Sequence, residues 1–527
     1  MHRSLKSYSV RRAINFCRFQ HSKTAAKSEE VSEWKGVVGL EIHAQISTKS
    51  KLFSRAGTEF ACPVNNNVAL FDAAIPGTLP VINRGCVESA VMTALALECE
   101  INPASTFDRK HYFYADMPAG YQITQQRNAL AHNGVLRFYV NPPSGKPYLK
   151  SSKLKQLQLE QDSGKSLHDV EGCKSLVDLN RAGVGLMELV FEPDLSDGEE
   201  AASLVKELAL ILQRLKTCSC KMEEGAFRVD ANVSVQRVGS TTLGPRTEIK
   251  NINSVRGVAN AVNWEIKRQI KANLKNERIV VETRSYDAKT KTTVPMRDKE
   301  EKQDYRFMPE PNLPPLRLRL KESEDGTLIA IPDIKQKIPE LPEKSREKLL
   351  QSFNLATIHA INLVNEDFLL DLFYTVASKV ENPQGRVIYE LIFTGLLTLL
   401  KQNDLKFHQN PISIENMVEL YNLLASREIS VNTLILVLEI LKDNPQSTPR
   451  KIVEDNSWYQ ISDPEDLRKI CVAAIAENPK KVKSFLKGKK NSFGSFVTLV
   501  AKMSDNRADL FVVTTILTEL LEKEKAK

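Results

Sequence analysis

Apolar and polar residues alternate along Val37-Val38-Gly39-Leu40-Glu41-Ile42-His43-Ala44-Gln45-Ile46. A period of two predicts a strand with Leu40, Ile42, Ala44 and Ile46 on one face and Glu41, His43 and Gln45 on the other. The pattern recurs in Phe227-Arg228-Val229-Asp230-Ala231-Asn232-Val233-Ser234-Val235, where Arg228, Asp230, Asn232 and Ser234 share the polar side. Between these strands the spacing of Leu204, Leu208, Ile211, Leu212 and Leu215 predicts a helix over 203–215. Residues 34–320 therefore read as one α+β domain built on a mixed or antiparallel sheet. Pro309, Pro311, Pro314 and Pro315 force an extended run, and a boundary is expected soon after, near 320. Helical patterns then dominate, over 349–353, 368–376, 388–400 and 434–441, which predicts a helical domain over 321–444. Pro445 and Pro449 mark a further break, and 445–527 reads as a smaller helical tail ending in Ile516, Leu517, Leu520 and Leu521. No internal repeat is evident.

Length and composition agree with several domains: 527 residues exceed what one core supports, and no apolar run approaches the length of a membrane span. The net charge of +8 suggests nucleic acid until its position is considered. Arg3, Lys6, Arg11, Arg12, Arg18, Lys23 and Lys27 precede the first acid, Glu29, so +7 of the +8 sits in residues 1–28 and +1 remains for the body. That segment, rich in Ser and basic residues with spaced apolar positions, reads as a mitochondrial transit peptide; a basic arm that grips a phosphate backbone is the alternative. Eight cysteines are scattered without a CxxC pair, and Cys218-Ser219-Cys220 alone is a weak zinc signal, so all are read as reduced thiols.

Candidate chemistry gathers on the polar strand faces. Glu41 and His43 offer hard oxygen and imidazole nitrogen to a divalent ion, although a solvated edge face would look the same. Arg228, Asn232 and Ser234 suit ATP or phosphate beside Asp230. Glu188 lies among Leu186, Met187, Leu189 and Val190; if buried it must be paired, metal-bound or protonated. Asp178, Asn180 and Arg181 precede a glycine-flanked turn, and Glu223 and Glu224 at a charged turn are secondary candidates. Ser163-Gly164-Lys165-Ser166 ends like a phosphate loop but has Leu159 where glycine is required, and Gly183-Val184-Gly185 lacks the third glycine of a dinucleotide fingerprint. Any use of ATP is expected to proceed without a P-loop. In the tail, lysines including Lys483, Lys487, Lys489 and Lys490 interleave with Phe485, Phe493 and Phe496, which suits RNA backbone contact or, equally, a solvated face over core phenylalanines.

Taken together, Val38-Gly39-Leu40-Glu41-Ile42-His43, Asp108-Arg109-Lys110-His111-Tyr112-Phe113-Tyr114, Asp178-Leu179-Asn180-Arg181-Ala182-Gly183, Lys221-Met222-Glu223-Glu224-Gly225 and Asp304-Tyr305-Arg306-Phe307-Met308-Pro309-Glu310-Pro311 resemble the B subunit of aspartyl/glutamyl-tRNA amidotransferases. The resemblance covers most of 34–320, and the tail looks like the family's helical tRNA-binding domain, with Lys483, Lys487, Lys489 and Lys490 as its candidate contacts. It implies a catalytic cradle in which ATP and Mg²⁺ serve to phosphorylate the γ-carboxylate of Glu-tRNA(Gln), after which ammonia displaces phosphate. It also implies two partners, a glutaminase (amidase) component and a small third component, and a mitochondrial matrix setting. Matched to the family's motifs, Glu41, His43, Glu188 and Asp230 surround the metal and activate the substrate, and Glu160 supplies a further metal-proximal acid. Two positions depart from the pattern. Gln161 stands where a second acid is usual, leaving Glu160 or Asp162 to compensate or the metal less firmly held, and Gly185 replaces a proline. Rival readings are a noncatalytic tRNA-binding scaffold and an independent metal-dependent hydrolase or kinase.

Overall fold

The computed structural model describes residues 33–169, 171–296, 305–322, 328–486 and 491–526. The expected transit peptide, together with Lys487, Lys489 and Lys490, lies outside them. The chain divides into two compact units at Glu343/Lys344.

The first unit is α+β. Its main sheet has nine strands: β1 (Trp34–Gln45), β2 (Glu100–Ile101), β3 (Ala131–Val140), β4 (Tyr148–Gln161), β5 (Gly185–Phe191), β6 (Phe227–Arg237), β7 (Thr247–Ile252), β8 (Glu282–Asp287) and β9 (Thr292–Pro295). They lie in the order β9-β8-β7-β6-β1-β5-β4-β3-β2, so the first strand in sequence is at the centre of the sheet. The β7–β8 pair is parallel and the others are antiparallel. Alternation decides the faces: Leu40, Ile42 and Ala44 of β1 and Val229 and Ala231 of β6 enter one continuous core with helices α1 (Arg84–Ala96), α2 (Gly198–Arg214) and α3 (Val255–Leu274).

Helix α2 starts at Gly198, ahead of the apolar stripe that marks it in the sequence. Asp197 caps it by accepting from Glu200 N at 2.9 Å, and Glu199 and Glu200 complement the helix dipole. The first turn holds Gly198, Glu199, Glu200 and Ala201, and α3 lies against its glycine: a Cβ on Gly198 would meet Ala259 O at 2.2 Å. Small and charged residues carry no hydrophobic periodicity, which is why the turn is absent from the pattern.

The proline-rich run is extended in two short pieces, Met308–Pro309 and Leu316–Arg317, and turns at Pro311–Asn312 between them. Met308–Pro309 pairs with Asp108–Arg109, forming a three-stranded sheet with Tyr121–Thr124, and Leu316–Arg317 pairs with Ala104–Ser105. Arg109 fixes the run through two bonds to the buried Glu310, at 2.6 and 3.1 Å. The first core then continues beyond the boundary expected near 320. Ile329 and Ile334 are buried in it, and Ile338 and Leu341 pack against it.

In the second unit, helices Thr357–Val364, Asp367–Ser378, Gly385–Glu390, Leu397–Gln402, Ile414–Ala425, Val431–Asp443 and Pro449–Asp455 enclose one core. A second core, containing Leu467, Phe496, Val500 and Leu517, lies among Pro464–Ala476, Asn491–Met503 and Leu510–Ala526. Ile452 and Val453 belong to the earlier core, so the expected division at 444/445 falls inside it. Pro449 occupies the first turn of a helix capped by Thr448, where its missing N–H is harmless, so it starts a helix instead of separating domains. Phe496 is fully buried and Phe485 and Phe493 pack against the same core, leaving Lys483 exposed beside them. No helix among the described residues is long and apolar enough to cross a membrane.

Candidate active site

Strand pairing brings distant carboxylates together. Glu41 of β1 stands opposite Asp230 of β6, while His43 stands opposite Glu188 of β5 on one side and Arg228 of β6 on the other. Gln158 of β4 continues that row beyond Glu188. These polar residues alternate with the core residues and share the sheet face opposite to it. A cavity of about 360 Å³ on that face is lined by Glu41, His43, Arg228 and Asp230, by Glu160 from β4, and by Lys250, Asn251 and Asn253 from β7 and the turn after it. Lys110, from the short strand Asp108–His111, and Tyr112 just after it line the wall together with Gln122, Asp162 and Ser163.

His43 Nε2 lies 3.8 Å from Glu41 Oε1 and 4.0 Å from Glu188 Oε2. One ligand atom from each of the three residues falls within 4.8 Å of the others. Gln158 Nε2 orients Glu188 by donating to its Oε2 at 2.8 Å, and also donates to Thr124 Oγ1 at 3.0 Å. Burial, then the charges of Glu160 and Glu41, push the Glu188 carboxyl well above the usual carboxylate range, against the pull of Lys110. Crowded carboxylates with an imidazole among them fit a divalent cation such as Mg²⁺, which would add positive charge to the cluster.

The other two expected ligands line the same cavity but are engaged by lysines. Lys110 Nζ is 3.9 Å from Glu160 Oε2 and 5.2 Å from the centre of the Tyr305 ring. Lys250 Nζ is 3.1 Å from Asp230 Oδ2 and 3.5 Å from Glu248 Oε1. Burial opposes both ammonium charges, yet the surrounding carboxylates hold both above the ordinary lysine value.

The expected phosphate ligands are placed differently. The Arg228 fork is occupied: Nη1 and Nη2 donate to Asp162 at 2.9 and 3.0 Å. Gln45 also donates to Asp162, and Arg181 lies 3.7 Å away. Although burial works against its charge, these partners hold the Asp162 carboxyl below the usual range. Asn232 and Ser234 share the face of Arg228 but lie further along β6, opposite Gly39 and Val37, and do not line the cavity. A strand advances about 3.3 Å per residue, so a shared face soon runs out of reach of a compact site.

Gln161 departs from the family pattern without facing the cluster. The alternation that turns Glu160 inward turns Gln161 the other way, and its Oε1 accepts from Ile123 N at 3.1 Å. Asp178, Asn180 and Arg181 build loops: Asp178 and Asn180 accept from the backbone at Asn65 and Asn67, and Arg181 donates to Ser163 O and Gly164 O. Glu224 pairs with Lys221 at 2.7 Å and, with Glu223, stays outside the cavity. Sequence reasoning missed Lys110, Lys250 and Gln158. Strand alternation could have assigned each a face, but nothing local reveals which carboxylate it meets.

Fold and site together define an α+β enzyme component with a carboxylate–imidazole centre on the open face of a largely antiparallel sheet. Residues 36–324 match the family described as the GatB/GatE catalytic domain, and residues 371–521 match the GatB domain. The B subunit of the mitochondrial glutamyl-tRNA(Gln) amidotransferase of Drosophila melanogaster is 49% identical over 503 residues, spanning 95% of this chain and 97% of the relative. The human protein of the same description is 46% identical, spanning 93% and 88%. The B subunit of the aspartyl/glutamyl-tRNA(Asn/Gln) amidotransferase of Rickettsia rickettsii is 40% identical, spanning 93% and 98%. The chain belongs to the family of amidotransferase B subunits, and is thus one component of a carbon–nitrogen ligase that has partner subunits.

Proposed function

We propose that this chain, with a glutaminase partner and a small third partner, converts glutamate carried on glutamine tRNA to glutamine in the mitochondrial matrix, and that the cavity is where ATP activates the γ-carboxylate. The meeting of Glu41, His43 and Glu188 within 4.8 Å, beside a cavity that also holds Glu160, Asp230 and two lysines, carries the reading. Relatives named for the same reaction in mitochondria support the substrate and the compartment.

A carboxylate resists ammonia until one oxygen becomes a leaving group, so the site must first hold two anions together. Mg²⁺ at Glu41, His43 and Glu188, flanked by Glu160 and Asp230, would neutralise phosphate charge during transfer. The protein's own part is positional. Gln158 fixes the Glu188 carboxylate, and the Asp162–Arg228 pair braces the end of β4 against β6 at the cavity wall. Lys110 places a cation beside Glu160, where an incoming carboxylate needs compensation. Lys483 and the lysines that follow it in the tail are suited to tRNA phosphates.

The test is ATP cleavage by the purified complex with Mg²⁺ and mischarged glutamyl-tRNA. His43→Ala is expected to lower tRNA-stimulated ADP release at least about a hundredfold while tRNA binding persists. Unchanged release would move the chemistry to a partner and leave this chain as a tRNA-binding scaffold.

A further inference from the structure

Three cations line the cavity among the described residues, Lys110, Arg228 and Lys250, and they are not equivalent. Both terminal nitrogens of Arg228 are bound to Asp162. Lys110 is enclosed beside Glu160, with 23% of its side chain exposed. Lys250 stands at the rim with 41% exposed, on a strand end that leads into Asn251 and Asn253. A polyphosphate approaching from solvent meets this ammonium before the carboxylates behind it.

We propose that Lys250 is the phosphate-binding residue of the nucleotide, and that Asp230 and Glu248 hold its ammonium at the rim until the nucleotide arrives. The inference rests on reading the cavity as the ATP site. Its geometry is that of a shared charge: the ammonium lies between Asp230 at 3.1 Å and Glu248 at 3.5 Å, and it has three donors on a flexible stem. Exchanging a carboxylate for a phosphoryl oxygen keeps Lys250 compensated throughout, so no bare charge is created. Glu248 is itself tied by Thr283 Oγ1 at 2.8 Å, which keeps this partner on the strand and leaves the lysine as the mobile member. Among the described residues a strand-borne cation thus takes the place that a glycine-rich loop has in other ATP-binding proteins.

The experiment compares Lys250→Met, Lys250→Arg and Glu248→Gln in the assembled complex. The readouts are equilibrium binding of a non-hydrolysable ATP analogue with Mg²⁺, binding of Mn²⁺ alone by electron paramagnetic resonance, and the KM for ATP. Lys250→Met should weaken analogue binding and raise KM about ten- to a hundredfold, the loss of one charge-assisted bond. Mn²⁺ should bind as tightly or more tightly, since a competing cation is gone. Lys250→Arg should restore most of the nucleotide affinity, and Glu248→Gln should increase it by freeing the ammonium. Unaltered analogue binding in Lys250→Met, or a loss in Glu248→Gln as large as in Lys250→Met, would overturn the assignment and leave Lys250 a neutraliser of Asp230. His43→Ala in parallel separates the two levels. ADP release persisting there removes the cavity as the ATP site, whereas release lost there with Lys250→Met unaffected removes only Lys250.

Discussion

Glu188 shows what the site demands of a single side chain. It is buried beside other carboxylates, and its proton is held well above the usual range. In the folded chain it therefore retains a proton that an unfolded glutamate would lose near 4.5. The associated stability is complete below that pH and is lost as the pH rises through the higher folded value. Glu188→Gln keeps the shape and an oxygen to accept from Gln158, and removes the charge. In the presence of a chelator this variant should melt above wild type at pH 8, with the gap closing toward pH 5. Added Mg²⁺ should raise the melting temperature of wild type and not of the variant. A variant less stable than wild type at pH 8 in chelator would refute the argument.

Residue identity was legible in the sequence where a strand face sufficed. Glu41, His43 and Asp230 could be placed on polar faces by counting in twos. That Glu41 meets Asp230, or that Asp162 occupies Arg228, depends on register between strands far apart in the chain, and no local pattern encodes it. Arg228, expected as a phosphate ligand and found bound to a carboxylate, is the case in point: its face was clear, its partner was not.

At the scale of elements, the contact between α2 and α3 sets how closely the helices lie on the sheet that carries the site. Gly198 N donates to Asn263 Oδ1 at 3.0 Å, and a Cβ on Gly198 would stand 2.2 Å from Ala259 O, which is backbone and cannot swing aside. Gly198→Ala should cost about 1–3 kcal/mol by overpacking, read as a lower urea midpoint at constant slope. No measurable change would mean that the helices part without penalty. Elements with strong periodicity, β1, β6 and the body of α2, are recognisable from the sequence. Elements built of small and charged residues, such as the first turn of α2, or of one or two paired residues, such as Met308–Pro309, are not, because they have too few apolar positions to show a period.

At the scale of the whole molecule, the apolar residues after 320 decide where the first unit ends. Ile329, Ile334, Ile338 and Leu341 close its core. A fragment ending at Glu343 should be monomeric and cooperative in unfolding. One ending at Leu320 should bind a hydrophobic dye and aggregate, since each buried isoleucine withdrawn from the core forfeits about 1.5–3 kcal/mol. Equal behaviour of the two fragments in sedimentation would show that the segment is dispensable.

The central place of β1 in the sheet also sets an order of events. It is the first described element to leave the ribosome, or to enter a compartment N-terminus first, yet its neighbours are residues 185–191 and 227–237. Until those segments follow, Val37, Val38, Leu40 and Ile42 belong to a strand with two open edges and an unfilled apolar face. Such distant pairing is slow, and a waiting strand of this kind invites association with other chains. The reaction centre thus cannot exist until the strands of Glu188 and Asp230 have followed. Until they arrive the nascent chain must be shielded by whatever holds unfolded polypeptides in that compartment.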